Sequence, residues 1–205
     1  VSDSRVDLAS GGGIFAAGDI VLVNTNVQGN SISKSGGSGS NDLFGGGVFA
    51  RTATLHRSTI SSNSNAANRG NGGGLYASNA YIYNSTINSN STTGIESVGG
   101  GIAGQFLRMD QTTVAGNTTT GGGAVGGGVY TARDAYIYSS TFSGNTTSGG
   151  IAGGGAIAAG NARIFNSILL GNATFNAGGD EIGGTNQGNA VSFYGQNIVG
   201  TDAAR

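Results

Sequence analysis

The chain has 205 residues, enough for one sizeable domain, with 42 glycines and no proline, cysteine or tryptophan. Only 9% of residues are charged and the formal net charge is −1 at pH 7, which argues against nucleic acid, whose binding needs a basic patch that displaces counterions. Without cysteine there is no disulfide framework or thiolate metal site, no apolar run reaches the roughly 18 residues of a membrane-spanning helix, and a 37% hydrophobic content with regularly placed Val, Ile, Phe and Tyr sets the chain apart from a disordered one.

In chain order, Val1 to Ser10 reads as a strand-like partial coil, and a start at Val1 rather than Met reads as a processed protein or an excised fragment. Triple-glycine blocks then begin at Gly11, Gly45, Gly72, Gly99, Gly126 and Gly153, spaced 34, 27, 27, 27 and 27 residues apart. A further block at Gly121 lies off this register, in a turn. A second mark, apolar-x-x-Asn, follows each block: Val27 to Asn30, Ile60 to Asn63, Ile87 to Asn90, Val114 to Asn117, Phe142 to Asn145 and Leu169 to Asn172. Two independent marks on one period define an internal repeat. The longer first gap places an inserted, Ser- and Gly-rich turn loop at 31–41, and a looser C-terminal turn is expected at 176–190. A last partial coil runs from about Asp180 to Gly200.

The 27-residue unit has neither helical periodicity nor a leucine consensus. It shows short alternation with β-branched and aromatic residues, bounded by Gly, Asn and Ser. Three short strands and three turns fit one unit, which is a coil of a parallel β-helix. The whole chain, 1–205, is expected to be one all-β solenoid domain of about seven coils, roughly 30–35 Å long at the usual strand spacing.

Aligned coils give a middle column of Leu22, Leu55, Ile82, Met109, Ile137, Ile164 and Phe193, apolar throughout and so predicted to face inward. In the next strand Ile60 and its equivalents should point in, and so should the first Ser or Thr, Ser58 and its equivalents, with Thr59, Thr86, Thr113 and Thr141 pointing out. The triple glycines are expected to open the third strand, where they permit a sharp corner and close approach of coils. The repeated Asn30, Asn63, Asn90, Asn117, Asn145 and Asn172 are expected to take left-handed corners and to stack as a structural amide ladder.

The pairing of Gly-Gly-Gly-apolar with apolar-x-x-Asn resembles the repeats of polymorphic outer-membrane proteins, with Phe142-Ser-Gly-Asn145 matching their second mark literally. The chain is also similar to the glycine-rich arrays of large bacterial surface proteins with pectin-lyase-like β-helices. The resemblance implies a right-handed parallel β-helix, a cell-surface or secreted location, and an adhesive or structural role.

Enzymes occur on such folds, and their chemistry needs clustered acids. The ten are scattered, and only Asp180 and Glu181 adjoin, most simply as a solvated turn. Arg108, Asp110, Arg133 and Asp134 fall on neighbouring coils, where the plainer reading is a surface ion pair within an aromatic ladder. His56 reads as a solvent-facing strand residue. No catalytic residue, metal site or cofactor is assigned. The candidate binding face is an outward aromatic column of Tyr81, Tyr83, Tyr136, Tyr138, Phe165 and Tyr194, interleaved with Arg108 and Arg163, since tyrosine on a rigid sheet stacks on sugars or packs on a partner. The Thr column is a weaker hint of ice binding. Asn84, Asn90, Asn117, Asn145 and Asn172 lie in glycosylation sequons, mostly at repeat positions expected to be buried. Neither end shows a capping helix, so the expected partners are further copies of the chain or neighbouring solenoid segments, stacked end to end, or surface glycans. A polysaccharide-active enzyme, or its remnant, is the alternative class.

Overall fold

The computed structural model describes residues 1–2, 5–7, 10–34, 42–149, 153–175, 181–184 and 190–200. Among them every regular element is a strand, and every strand pairing is parallel. The class is a parallel β-solenoid with three strands per coil.

A broad sheet carries the long strands Ile14–Val23, Val48–His56, Leu75–Tyr83, Ile102–Asp110, Val129–Tyr138 and Ile157–Phe165, followed by Ile182–Gly184 and Ala190–Tyr194. A second sheet stacks Asn26–Gln28, Thr59–Ser61, Thr86–Asn88, Thr113–Ala115, Thr141–Ser143, Ile168–Leu170 and Ile198–Gly200. A third stacks Arg5–Asp7, Ser31–Ser33, Ser64–Ala66, Ser91–Thr93, Thr118–Thr120, Thr146–Ser148 and Ala173–Phe175. Seven coils is slightly too many. Six strand triplets run from Ile14 to Phe175, so about five full turns separate the first broad strand from the sixth. The outermost strands, Arg5–Asp7 before and Ile182 to Gly200 after, complete only part of a circuit.

Two boundaries move. Ser31–Ser33 is a paired strand with Ile32 buried, so the inserted turn begins later than 31, and 35–41 lies outside the described residues. In the C-terminal turn, 176–180 and 185–189 lie outside the described residues, while Ile182–Gly184 pairs with the start of Ile157–Phe165.

The triple glycines open the broad strands, not the third. The third strand is the Ser/Thr-rich triplet after each ladder Asn, and its inward residue is often polar: Asn65, Thr92, Thr119 and Thr147 are all buried. The reason lies in the glycine block itself. At Gly72 φ is +72°, and a Cβ on Gly73 would stand 2.3 Å from the carbonyl oxygens of both Gly100 and Ser91. Coils therefore approach backbone to backbone here, and carbonyls that already accept an N–H of the preceding coil keep a second lone pair for a side chain. Two of the hydroxyls use it, with Thr119 donating to Gly126 O at 3.0 Å and Thr147 to Gly154 O at 3.1 Å, whereas Asn65 donates to Leu43 O at 2.8 Å and Thr92 Oγ1 finds no partner among the described residues.

The middle column is the core as expected, with Leu22, Leu55, Ile82, Met109, Ile137 and Ile164 buried. Phe193 is the exception at 48% exposed, because no described strand stacks beyond it to cover it.

The asparagine ladder forms over its full expected length. Asn63 Oδ1 accepts from both N and Nδ2 of Asn30 at 2.9 Å, and the same two-bond contact joins Asn63 to Asn90, Asn90 to Asn117, Asn117 to Asn145 and Asn145 to Asn172 at 2.7–3.1 Å. From Asn63 onward, each Nδ2 also donates to the carbonyl of the apolar residue of the preceding coil, as Asn117 does to Ile87 O at 2.9 Å. The left-handed corner does not fall on these asparagines. It falls one residue earlier, on Gly29, Ser62, Ser89, Gly116, Gly144 and Gly171.

A second ladder runs parallel. Ser58, Ser85, Ser140 and Ser167 each accept at Oγ a backbone N–H from the preceding coil at 3.1 Å, the donors being Thr25, Ser58, Thr112 and Ser140. Both ladders end on a longer polar side chain. Asn197 Oδ1 takes the Ser167 N–H at 2.9 Å. Glu181, only 4% exposed, accepts from Asn172 Nδ2 at 2.6 Å and from its backbone N at 3.3 Å. Register alignment puts Glu181 at the position of the third glycine of a block, where the asparagine of that coil normally fills the Cβ space, as Asn90 does beside Gly74. Glu181 is thus a buried ladder end rather than part of a solvated turn. Asp180 lies outside the described residues.

Candidate binding face

The broad strands alternate inward and outward, so their outer face is a set of columns running along the solenoid. Nearest the glycine blocks is a column of Phe15, Phe49, Tyr76, Ala103, Tyr130 and Ala158. Phe15 stacks on Phe49 at 5.0 Å between centroids and Phe49 on Tyr76 at 5.7 Å, while Phe44 leans from the preceding turn onto Phe49 and Tyr76. Burial, with some repulsion from Tyr76, pushes the Tyr130 hydroxyl above its ordinary pKa.

The two columns expected from sequence lie at the far side of the same face. One holds His56, Tyr83, Asp110, Tyr138, Phe165 and Tyr194. Within it His56 stacks on Tyr83 at 5.0 Å, Tyr138 on Phe165 at 4.6 Å and Phe165 on Tyr194 at 4.5 Å. The other holds Thr54, Tyr81, Arg108, Tyr136, Arg163 and Ser192. Phe106 leans between Tyr81 and Tyr136, 5.7 Å from each. The Arg108 guanidinium lies 4.9 Å over the Tyr138 ring. That of Arg163 lies 5.1 Å over Tyr136 and donates from Nη1 to the Tyr136 hydroxyl at 2.6 Å.

All eight predicted face residues therefore share one surface. All seven tyrosines of the chain are on it, with Phe15, Phe49, Phe106 and Phe165. The column of Phe15, Phe49, Tyr76 and Tyr130 was not anticipated. Its signal is plain in retrospect: an aromatic two residues after the third glycine, as in Gly74-Leu-Tyr76 and Gly128-Val-Tyr130.

The expected ion pair in the Arg108, Asp110, Arg133 and Asp134 cluster does not form. Arg108 takes an aromatic ring instead, and Asp134 accepts from Asn161 Nδ2 at 3.1 Å. Among the described residues no carboxylate pairs with Arg108, Arg133 or Arg163, and the ion pairs present are Arg51–Asp19 at 3.1 Å and Arg69–Glu96 at 2.8 Å, both exposed. The repeat asparagines of the sequons are buried in the ladder, and Asn84 is exposed at a left-handed corner.

The structure places this chain in the class of parallel β-solenoid repeat proteins. Comparison with known proteins finds no family model, no curated protein and no solved structure that matches it.

Proposed function

We propose that the protein is an extracellular structural and adhesive solenoid, akin to the polymorphic outer-membrane-like surface proteins its repeats resemble, and that its broad sheet is the adhesive face, taking glycans. One observation carries the reading. The chain spends all its tyrosines on one outward surface of a backbone held by two buried hydrogen-bond ladders. Aromatic rings with a polar tip are costly to leave in water without use, and they stack well on sugar rings. The scarcity of charge and lack of cysteine are compatible with life outside the cell. A polysaccharide-active enzyme has less support, since among the described residues the acids on this face are separated and the ion pair there, Asp19 with Arg51, is exposed.

The test is binding of the labelled chain to a panel of immobilised glycans, repeated with a Tyr138→Ala/Phe165→Ala variant whose circular dichroism is unchanged. Retained binding by the variant, or no binding by the native chain, would count against the adhesive face.

End-to-end stacking has its own support. Among the described residues, the large apolar side chains left exposed fall, Ile95 apart, in the first and last coils: Val1, Phe15, Val21 and Val23 in one, and Ile168, Leu170, Val191, Phe193, Tyr194, Ile198 and Val199 in the other. Val191, Phe193 and Val199 stand at inward positions, so another coil, of a longer chain or of a second copy, would cover them as it added to the open strand edges. A head-to-tail contact that does not close gives a fibre. Electron microscopy at rising concentration should show rods lengthening by whole units, and Val199→Lys, at an inward position of the last strand, should stop it. A monomer at millimolar concentration sinks the idea.

A further inference from the structure

We propose that Asn84 is a site of N-linked glycosylation, and that the fold confines the modification to it among five sequons. The chemistry is transfer of a sugar from a diphosphate-activated donor by an external glycosyltransferase. The bond from the anomeric carbon to the phosphate oxygen breaks, a bond to Asn84 Nδ2 forms, one Nδ2 proton is released, and the diphosphate leaves with its carrier.

Asn-x-Ser/Thr begins at Asn84, Asn90, Asn117, Asn145 and Asn172. The last four are ladder residues, each at most 3% exposed. Each has both amide hydrogens in use, as in Asn117, whose Nδ2 donates to Ile87 O and to Asn145 Oδ1 at 2.9 Å. A sugar carbon on Nδ2 takes the place of one hydrogen, so one of the two bonds is lost and a buried oxygen is left unpaired. The space is filled as well. A Cβ on Gly101 would stand 3.2 Å from Asn117 Nδ2, and one on Gly74 3.0 Å from Asn90 Nδ2, so glycine backbone already packs against these amides.

Asn84 is in the opposite state. It is exposed, at the corner where the broad strand Leu75–Tyr83 gives way to Thr86–Asn88. Its φ of +50° lies in the left-handed region that asparagine tolerates. Its contact with the next coil is made by the backbone, N–H to Asp110 O at 3.1 Å, and its side chain makes no hydrogen bond among the described residues. Thr86, which completes the sequon, faces outward, while Ser85 between them is buried. The acceptor amide and the hydroxyl that marks it therefore lie on the outside together. Asn24 and Asn166 hold equivalent corners, but their Oδ1 atoms accept from Arg57 Nε and Gln196 N, and neither begins a sequon. A sugar on Asn84 leaves every ladder bond in place.

The folded chain, and the same chain denatured and digested with trypsin, are each incubated with UDP-glucose and a soluble N-glycosyltransferase that reads Asn-x-Ser/Thr. Mass spectrometry then maps the hexose. The folded chain should gain a single hexose, at Asn84, with unchanged circular dichroism, and the digest should gain hexose at ladder asparagines as well. Asn84→Gln and Thr86→Ala should each lower uptake by the folded chain ten-fold or more. A folded chain that takes no hexose while its digest takes it at Asn84 overturns the proposal, because the corner is then closed. Hexose on a ladder asparagine of the folded chain overturns it too. So does a digest modified at Asn84 alone, which would place the selectivity in local sequence rather than in the fold. Absence of transfer to Asn84 in both samples removes it as an acceptor and ends the proposal.

Discussion

Ile137 and Phe193 occupy one column of one sheet, yet Ile137 is fully buried and Phe193 is half exposed. The same contrast holds for the ladders. Asn117 both accepts from the ladder asparagine before it and donates to the one after it, whereas Glu181 and Asn197 accept from the ladder residues before them at the end of the described stack, Asn197 also donating back to Ile164 O at 3.4 Å. A middle coil is stabilised from two sides and the final coil from one. Burial in a solenoid is thus a property of neighbours more than of the residue's own coil.

The sharpest way to break this comparison is at Asn117. Replacement by Ala strands the Asn90 amide donors and the Ile87 carbonyl in a dry interior, and should cost about 3–5 kcal/mol in urea unfolding. Ile137→Ala should cost about 2–5 kcal/mol by the same measure. A Cβ at Gly100 would stand 2.4 Å from Thr118 O and 2.5 Å from Gly127 O, so Gly100→Ala should cost about 1–3 kcal/mol. At the C-terminal end Glu181→Ala removes two bonds and should cost about 1–2 kcal/mol, with faster hydrogen exchange confined to Asn172 and the strands it meets. Smallest of all, Phe193→Ser should fall within about 0.5 kcal/mol. A loss at Phe193 as large as at Ile137 would show that the last rung is covered in solution.

Much of this was legible in the sequence. The inner column could be read because apolar identity recurs at a fixed period, and the asparagine ladder because one residue type recurs with it. The third strand was misplaced because its inward residues are Asn and Thr, which carry no hydrophobic signal. Thr119 and Thr147 find acceptors in the glycine carbonyls of the next block, a contact that residue spacing does not show. The serine ladder was half read: Ser58 and its equivalents were expected to face inward, but their backbone acceptor role depends on coil-to-coil geometry. The left-handed corner was assigned to the conspicuous Asn, when the residue before it, variably Gly or Ser, has the positive φ. On the face, the Arg108 cluster was legible as proximity but not as chemistry. Whether a guanidinium chooses a carboxylate or a ring is decided by angstroms that spacing does not carry.

The backbone register between coils repeats along the stack, so the backbone bonds and the asparagine contact that one unit makes with its neighbours are ones the unit beyond could make in its place. Excising Tyr76 to Ile102 should therefore rejoin Leu75 to Ala103 without loss of phase, yielding a stack one layer shorter. Length in such a molecule is then adjustable in whole layers.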